Sequence, residues 1–146
     1  MNKEKKRHYN RLFLDKLAYT GNYNTPTTIK CWSFNAKDYH ESQPKTLAVP
    51  ALPDKERLLW IQVCGLSTFA TMIALGKRFE INQSDLQDIL TANHITKTSI
   101  TDKSLLLIIK DFFYDKGDNL NVEQISLLLY KNYVISFQES DRPVFD

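Results

Sequence analysis

Apolar residues crowd the last third of the chain into three runs separated by short polar breaks. Leu105-Leu106-Leu107-Ile108-Ile109 is apolar at every position, and Ile125–Leu129 and Tyr133–Phe137 are nearly so. Runs of this length, rich in branched and aromatic residues, read as strands, and the first reads as a strand covered on both faces. The pattern predicts strands over Leu105–Tyr114, Val122–Tyr130 and Tyr133–Gln138. Asp115-Lys116-Gly117-Asp118-Asn119 is a polar loop, and Lys131-Asn132 is a two-residue turn in which Asn is able to take a positive φ. Together these make an antiparallel meander at the heart of a sheet. It is a scaffold rather than a reactive centre, because the runs carry few nucleophiles and no His.

Upstream the periodicity alternates. Thr27–Phe34 suits a pleated, partly buried surface and reads as a strand. Ala36–Glu41 reads as a short helix or turn. Pro44, Pro50 and Pro53 exclude a central strand or a long helix between Gln43 and Pro53, leaving Lys45–Val49 as a further short extended run. Leu58–Cys64 is the next strand, ended by Gly65. A helix follows, with Ser67 as its expected N-cap, Phe69, Met72, Ile73, Gly76 and Phe79 on one stripe, and Lys77 and Arg78 near its negative end. A second helix is expected from about Asn82–Ser84 to Asn93, burying Leu86, Ile89 and Leu90. Asp85 and Asp88 read as acidic partners of its N-terminal end, Ser84 with Gln87 as a capping box, and His94 as a partner of its C-terminal end. Ile95–Ile100 is a short extended piece leading into the meander.

Composition narrows the class without naming a job. At 146 residues, 42% hydrophobic and 25% charged, the chain has the makings of one soluble domain with its own core. The net charge of +2 is unevenly placed: Lys3, Lys5, Lys6, Arg7 and Arg11 against Glu4 give the first eleven residues +4, leaving −2 for the rest. Residues 1–16 therefore read as a basic N-terminal tail and residues 17–146 as the domain. The tail reads as a solvated terminus, with no nucleic acid as partner. Cys31 and Cys64 lie in apolar contexts with no CxxC or Cys/His cluster, and read as reduced buried thiols, with a single disulfide as the minor alternative. No apolar run reaches the eighteen or so residues of a membrane span. No phosphate-binding loop, zinc-protease motif or nucleophile elbow occurs. His8, His40 and His94 stand far apart, and no nucleophile–base pair is legible, so the chain is not expected to be an enzyme.

The order of several short blocks adds a further reading. Leu17-Ala18-Tyr19-Thr20-Gly21 places a Thr-Gly turn before the first strand. Trp60-Ile61-Gln62-Val63-Cys64-Gly65-Leu66, Leu86-Gln87-Asp88-Ile89-Leu90 followed by Asn93-His94 and Lys97, Glu123–Leu127, Lys131–Glu139 and Val144-Phe145-Asp146 follow at fixed separations. The set resembles the cytosolic N-terminal domain of CorA-type magnesium and cobalt transporters, over nearly the whole chain from Leu17.

That resemblance implies an α/β fold: a mixed sheet with packed helices, the α/β/α sandwich of the CorA soluble domain, ending before the stalk helices. It implies a regulatory, divalent-cation-sensing domain of a transporter for Mg2+ or Co2+. The parent would be a homopentamer on the cytoplasmic side of the inner membrane, joined to the membrane only through C-terminal helices. Those helices and the family's Gly-Met-Asn pore signature do not occur in the chain, which reads as a piece unable to conduct ions alone. In the family an acidic pair faces the stalk of the next subunit and holds a regulatory cation. Asp88 matches that pair, whereas Gln87 replaces its other carboxylate. Two carboxylates about 5 Å apart at an effective dielectric near 20 repel by about 3 kcal/mol, which a divalent ion between them reverses; Asp88 with a neutral Gln87 is expected to bind Mg2+ weakly, with no tightly held cofactor. With the stalk missing, part of one sheet face is expected to be uncovered and to favour self-association. A stand-alone protein-interaction module of related fold is the alternative.

Overall fold

The computed structural model describes residues 17–44 and 56–145. The run Lys45–Val49 and the basic tail lie outside them. The chain order is β1 (Thr28–Phe34), β2 (Tyr39–Ser42), β3 (Leu58–Cys64), α1 (Phe69–Arg78), α2 (Gln83–Leu90), β4 (Lys97–Ile100), β5 (Leu105–Tyr114), β6 (Leu120–Leu129) and β7 (Tyr133–Gln138). Among the described residues the strands join one seven-stranded sheet in the order β2-β1-β3-β7-β6-β5-β4. Every pairing is antiparallel except β3 with β7, which run parallel with Ile61 opposite Ile135 and Val63 opposite Phe137. The mixed α/β architecture expected from the sequence is therefore what forms.

The meander β5-β6-β7 follows the apolar runs, and its ladder aligns Leu106 with Leu128 and Leu128 with Ile135. Its turns work differently from expectation. The positive φ lies at Asp118 (57°), in the β5–β6 loop, and not at Asn132. Asp115 Oδ1 shapes that loop by accepting from the backbone N–H groups of Gly117 and Asn119. The segment read as a helix or turn after β1 is instead the short edge strand β2. Asn35 reverses the chain, its side-chain oxygen accepting from the N–H groups of Lys37 and Asp38, so that Phe34 meets Tyr39 across a hairpin.

Because strand side chains alternate, each face of the sheet has its own set. One face carries Ile29 and Cys31, Leu59, Ile61 and Val63, Ile135 and Phe137, Leu128, and Leu106 and Ile108, all buried. Both helices pack on it through Met72, Leu75, Phe79, Leu86, Ile89 and Leu90, and Leu17 completes the cluster. Phe69, expected on the buried stripe, is exposed, and Leu75 takes a core position. Gly76 lets the helices approach: a Cβ there would lie 2.8 Å from Leu86 Cδ2.

The opposite face is covered less, and β5 is not sealed on both sides. Leu105, Leu107 and Ile109 are half-buried there while Leu106 and Ile108 are fully buried. The same open face carries Trp32, Trp60, Val134 and Leu127, half-buried, with Leu58 49% and Leu129 41% exposed. The chain leaving β7 crosses one part of it. Ser140 donates from its N–H and its hydroxyl to the buried Glu123, Arg142 pairs with Asp111 over the ring of Phe113, and Phe145 meets Trp60 edge-on, with ring centroids 5.3 Å apart.

Cys31 opposes Ile61 and Cys64 opposes Thr28, so the two thiols point to opposite faces of the sheet and no disulfide joins them. Burial pushes the Cys31 thiol up to about 11 and raises that of Cys64 as well. Neither thiol is expected to react with a disulfide reagent at pH 8 in the native protein, and both are expected to react in denaturant; a colorimetric thiol titration reads the difference. The glycines differ in the same checkable way. Gly65 sits at φ 79°, where an added Cβ would lie 2.7 Å from the Pro26 carbonyl oxygen. Gly65→Ala is expected to cost about 2–3 kcal/mol from left-handed strain plus that clash. At Gly76 the obstacle is only the end of a flexible Leu side chain, and Ala gains about 1 kcal/mol of helix propensity. Gly76→Ala is expected to stay within about 1 kcal/mol of the parent in urea unfolding.

Candidate functional site

Four parts of the chain meet where α2 ends: the N-terminal segment at Leu17–Thr20, the last turn of α2, the start of β4, and β6. The helix starts two residues earlier than a cap at Ser84 requires. Asn82 is the N-cap, its Oδ1 accepting from the N–H of Asp85 at 2.8 Å while its Nδ2 donates to the Asp85 carboxylate at 2.5 Å. Asp85 thus lies at the positive end of the helix, as expected. Asp88 does not. It falls in the last turn of Gln83–Leu90, where the helix end is negative and an acidic side chain is disfavoured.

Basic groups from beyond the helix answer that charge. Lys97, at the start of β4, places Nζ 2.6 Å from Asp88 Oδ2, and His94 places Nε2 3.1 Å from Oδ1. The Asp88 side chain is only 15% exposed. The return path that brings these residues back is set by Asn93, which takes φ 58°, a conformation Asn tolerates. His94 Nδ1 faces the carbonyl of Ile95 at 2.9 Å, so both ring nitrogens face oxygens.

Gln87 is equally committed. Its Oε1 accepts from the Ala18 N–H at 3.3 Å, and its Nε2 donates to the Ala18 carbonyl at 3.2 Å and to Thr91 Oγ1 at 3.0 Å. One side-chain amide therefore replaces a strand neighbour for Ala18, while Thr20 continues the attachment, its N–H donating to the Leu90 carbonyl and its hydroxyl oxygen accepting from the Ala92 N–H. The buried Gln124 of β6 closes the joint from below. Its Nε2 donates to the carbonyls of Asp88 and Ile89, at 3.2 and 3.4 Å, and its Oε1 accepts from the His94 N–H at 2.9 Å. It thereby gives the Ile89 carbonyl a partner and adds a second one to the Asp88 carbonyl and the His94 N–H, which also bond to the Thr91 backbone at 3.3 Å.

A second polar group adjoins it. Tyr19 donates to Glu139 Oε2 at 2.5 Å, and burial followed by that carboxylate raises the phenol well above its ordinary range. Gly21 packs against this pair so closely that a Cβ would overlap both the Tyr19 hydroxyl and Glu139. The Thr-Gly turn is thus the place where the N-terminal segment wraps the end of β7.

Residues 55–146 match the family described as CorA-like Mg2+ transporter protein. The chain belongs to that family. It is similar to the Cobalt/magnesium transport protein CorA of Thermotoga maritima, 30% identical over 132 residues, which cover 89% of this chain and 38% of that protein. The chain thus spans well under half the length of this relative. The fold is shared with the soluble domain of CorA from Methanocaldococcus jannaschii (TM-score 0.57, 16% identity, covering 84% of this chain and 43% of that one). It is shared too with the ZntB cytoplasmic domain from Vibrio parahaemolyticus (TM-score 0.60, 13% identity, covering 81% and 46%).

Within this CorA-family domain, the two residues singled out as cation ligands are adjacent but turned to different tasks. Gln87 holds Ala18, and Asp88 holds Lys97 and His94. Both carboxylate oxygens of Asp88 are taken, and both amide atoms of Gln87 are taken. Among the described residues no group of three or more His, Cys, Asp or Glu is placed to hold a metal ion. In this arrangement neither side chain presents an uncommitted oxygen to a divalent ion. Reading the sequence missed Lys97 and Gln124 as members of the joint. The available signal was Asp88 itself, an acidic residue near a helix C-terminus in need of a cation.

Gln124→Leu is expected to destabilise the domain by about 1–2 kcal/mol, because it removes the side-chain partner of the Ile89 carbonyl and leaves the Asp88 carbonyl and the His94 N–H with only their longer bonds to the Thr91 backbone. Gln87→Met, at a part-exposed position, is expected to cost about 1 kcal/mol. Chemical denaturation midpoints check both values.

Proposed function

We propose that the chain is the sheet-and-helix head of a CorA-type divalent-cation transporter, on the cytoplasmic side of the membrane, in a parent protein built as a ring of identical subunits. What carries this reading is the family match over residues 55–146, and the Thermotoga maritima relative supports it. The cargo on this reading is Mg2+ or Co2+, the ions in that relative's name. The head does no chemistry of its own. Its part is regulatory, biasing the parent between states by how it packs on neighbouring segments.

The open sheet face supports the same reading. Half-buried Trp32, Trp60 and Leu107 lie there on the same face as the exposed Leu58 and Leu129, an apolar stretch of the kind that suits a packing partner. Further chain or a neighbouring subunit covers it on this account. The cation sensing that the resemblance attaches to Gln87 and Asp88 belongs to the reading only with both side chains released from Ala18, Lys97 and His94. The open face also favours a second reading, a stand-alone protein-interaction module of the same fold.

A chimera separates the two. Residues 17–146 replace the corresponding region of the Thermotoga maritima transporter, and Mg2+ uptake is measured in cells lacking their own Mg2+ uptake systems. Retained uptake is the expected result. A chimera that reaches the membrane and assembles, yet takes up no Mg2+, favours the stand-alone module.

A further inference from the structure

We infer that Lys97 is a built-in replacement for a divalent ion at Asp88, so that the joint at the end of α2 is neutralised from within the chain and is insensitive to Mg2+. The inference concerns this chain's own residues and goes beyond the proposed role in transport. It rests on four observations. The Asp88 carboxylate is largely withdrawn from solvent, and each of its oxygens is already in contact with a nitrogen, Lys97 Nζ at 2.6 Å and His94 Nε2 at 3.1 Å. The side chain beside it, Gln87, is neutral and engaged on Ala18. The joint is held from below by Gln124, which fixes the positions of both Asp88 and His94 through their backbones. Lys97 itself is anchored in β4, with its backbone opposite Ile108 in the ladder, so its ammonium is delivered by a strand and not by a free loop.

The chemistry favours the internal cation. Mg2+ dehydrates reluctantly and keeps several waters, for which this part-buried carboxylate has little room while the ammonium occupies it, and a single carboxylate holds the ion only weakly. The tethered ammonium needs only the one carboxylate, and because it belongs to the same chain its effective concentration does not fall with dilution. Removing it leaves Asp88 with His94 alone and opens one carboxylate oxygen.

The test uses the full 146-residue chain and three variants, Lys97→Met, Asp88→Asn and the double substitution. Thermal melting is followed in 10 mM MgCl2 and in NaCl of equal ionic strength, with calorimetric Mg2+ titration alongside. The parent is expected to melt at the same temperature in both salts and to show no saturable Mg2+ binding. Lys97→Met is expected to melt several degrees lower in NaCl and to recover part of the loss in MgCl2. The double variant is expected to be no less stable than Lys97→Met and to ignore Mg2+, which assigns the recovery to Asp88. A parent that is stabilised by MgCl2 over NaCl, with the effect lost in Asp88→Asn, overturns the inference. So does a Lys97→Met variant that melts like the parent, or one that is destabilised but has no response to Mg2+. Uptake by the chimera is a separate readout, so failure of the transport reading and failure of this inference are told apart.

Discussion

Strand β3 lies beside β7 in the same direction, and the rest of the architecture follows from that pairing. Two parallel strands cannot be joined by a tight turn; the chain must leave the end of β3, travel back, and enter β7 from the same side. Here the return path contains α1, α2 and the three strands β4, β5 and β6. The pairing thereby joins a hairpin unit, β1 to β3, to the meander. It also sets Ile61 beside Ile135 and Val63 beside Phe137, the centre of the buried face on which both helices rest. Gly65 is required at the departure point, because the chain turns there with a positive φ against the carbonyl groups of Thr25 and Pro26.

The same route fixes the joint at the end of α2. A helix lying across the sheet must deliver the chain to the edge strand β4, and it does so through a reversal at Asn93. The reversal turns the last carbonyls of α2 toward the sheet and the N-terminal segment; Gln124, reaching up from the sheet, takes those of Asp88 and Ile89, and the Thr20 N–H takes that of Leu90. It also brings Lys97 back beside Asp88. The polar groups at this corner are therefore consequences of topology, each answering a need created by the helix end. This explains why Gln87 and Asp88 are both spoken for inside the chain.

How much of this was legible in the sequence depended on what each element asks of its residues. Strands β3, β5, β6 and β7 could be read because both their length and their branched, apolar content come from burial on at least one face. The β2 strand could not: Tyr39-His40-Glu41-Ser42 is exposed along its whole length at a sheet edge, so nothing in it alternates. The helices were legible from their stripes, but their ends were not. The cap at Asn82 and the stop after Leu90 depend on local hydrogen bonds that Ser84 and Asn93 imitate in sequence. Gln87 and Asp88 were found as a pair by similarity to a family, which marks position and says nothing of partners. Their partners Ala18, Lys97 and Gln124 are brought to them only by the fold.

The central claim is that the β3–β7 pairing welds the hairpin unit, the helices and the meander into one cooperative body. Native-state hydrogen exchange, followed residue by residue under increasing denaturant, tests it most directly. The account predicts that the amides of Ile61, Val63, Ile135 and Phe137 exchange only through global opening, with a single shared free energy. Exchange of Ile61 and Val63 at a lower free energy than Leu106 and Leu128, as a separately opening β1–β3 unit would show, contradicts it.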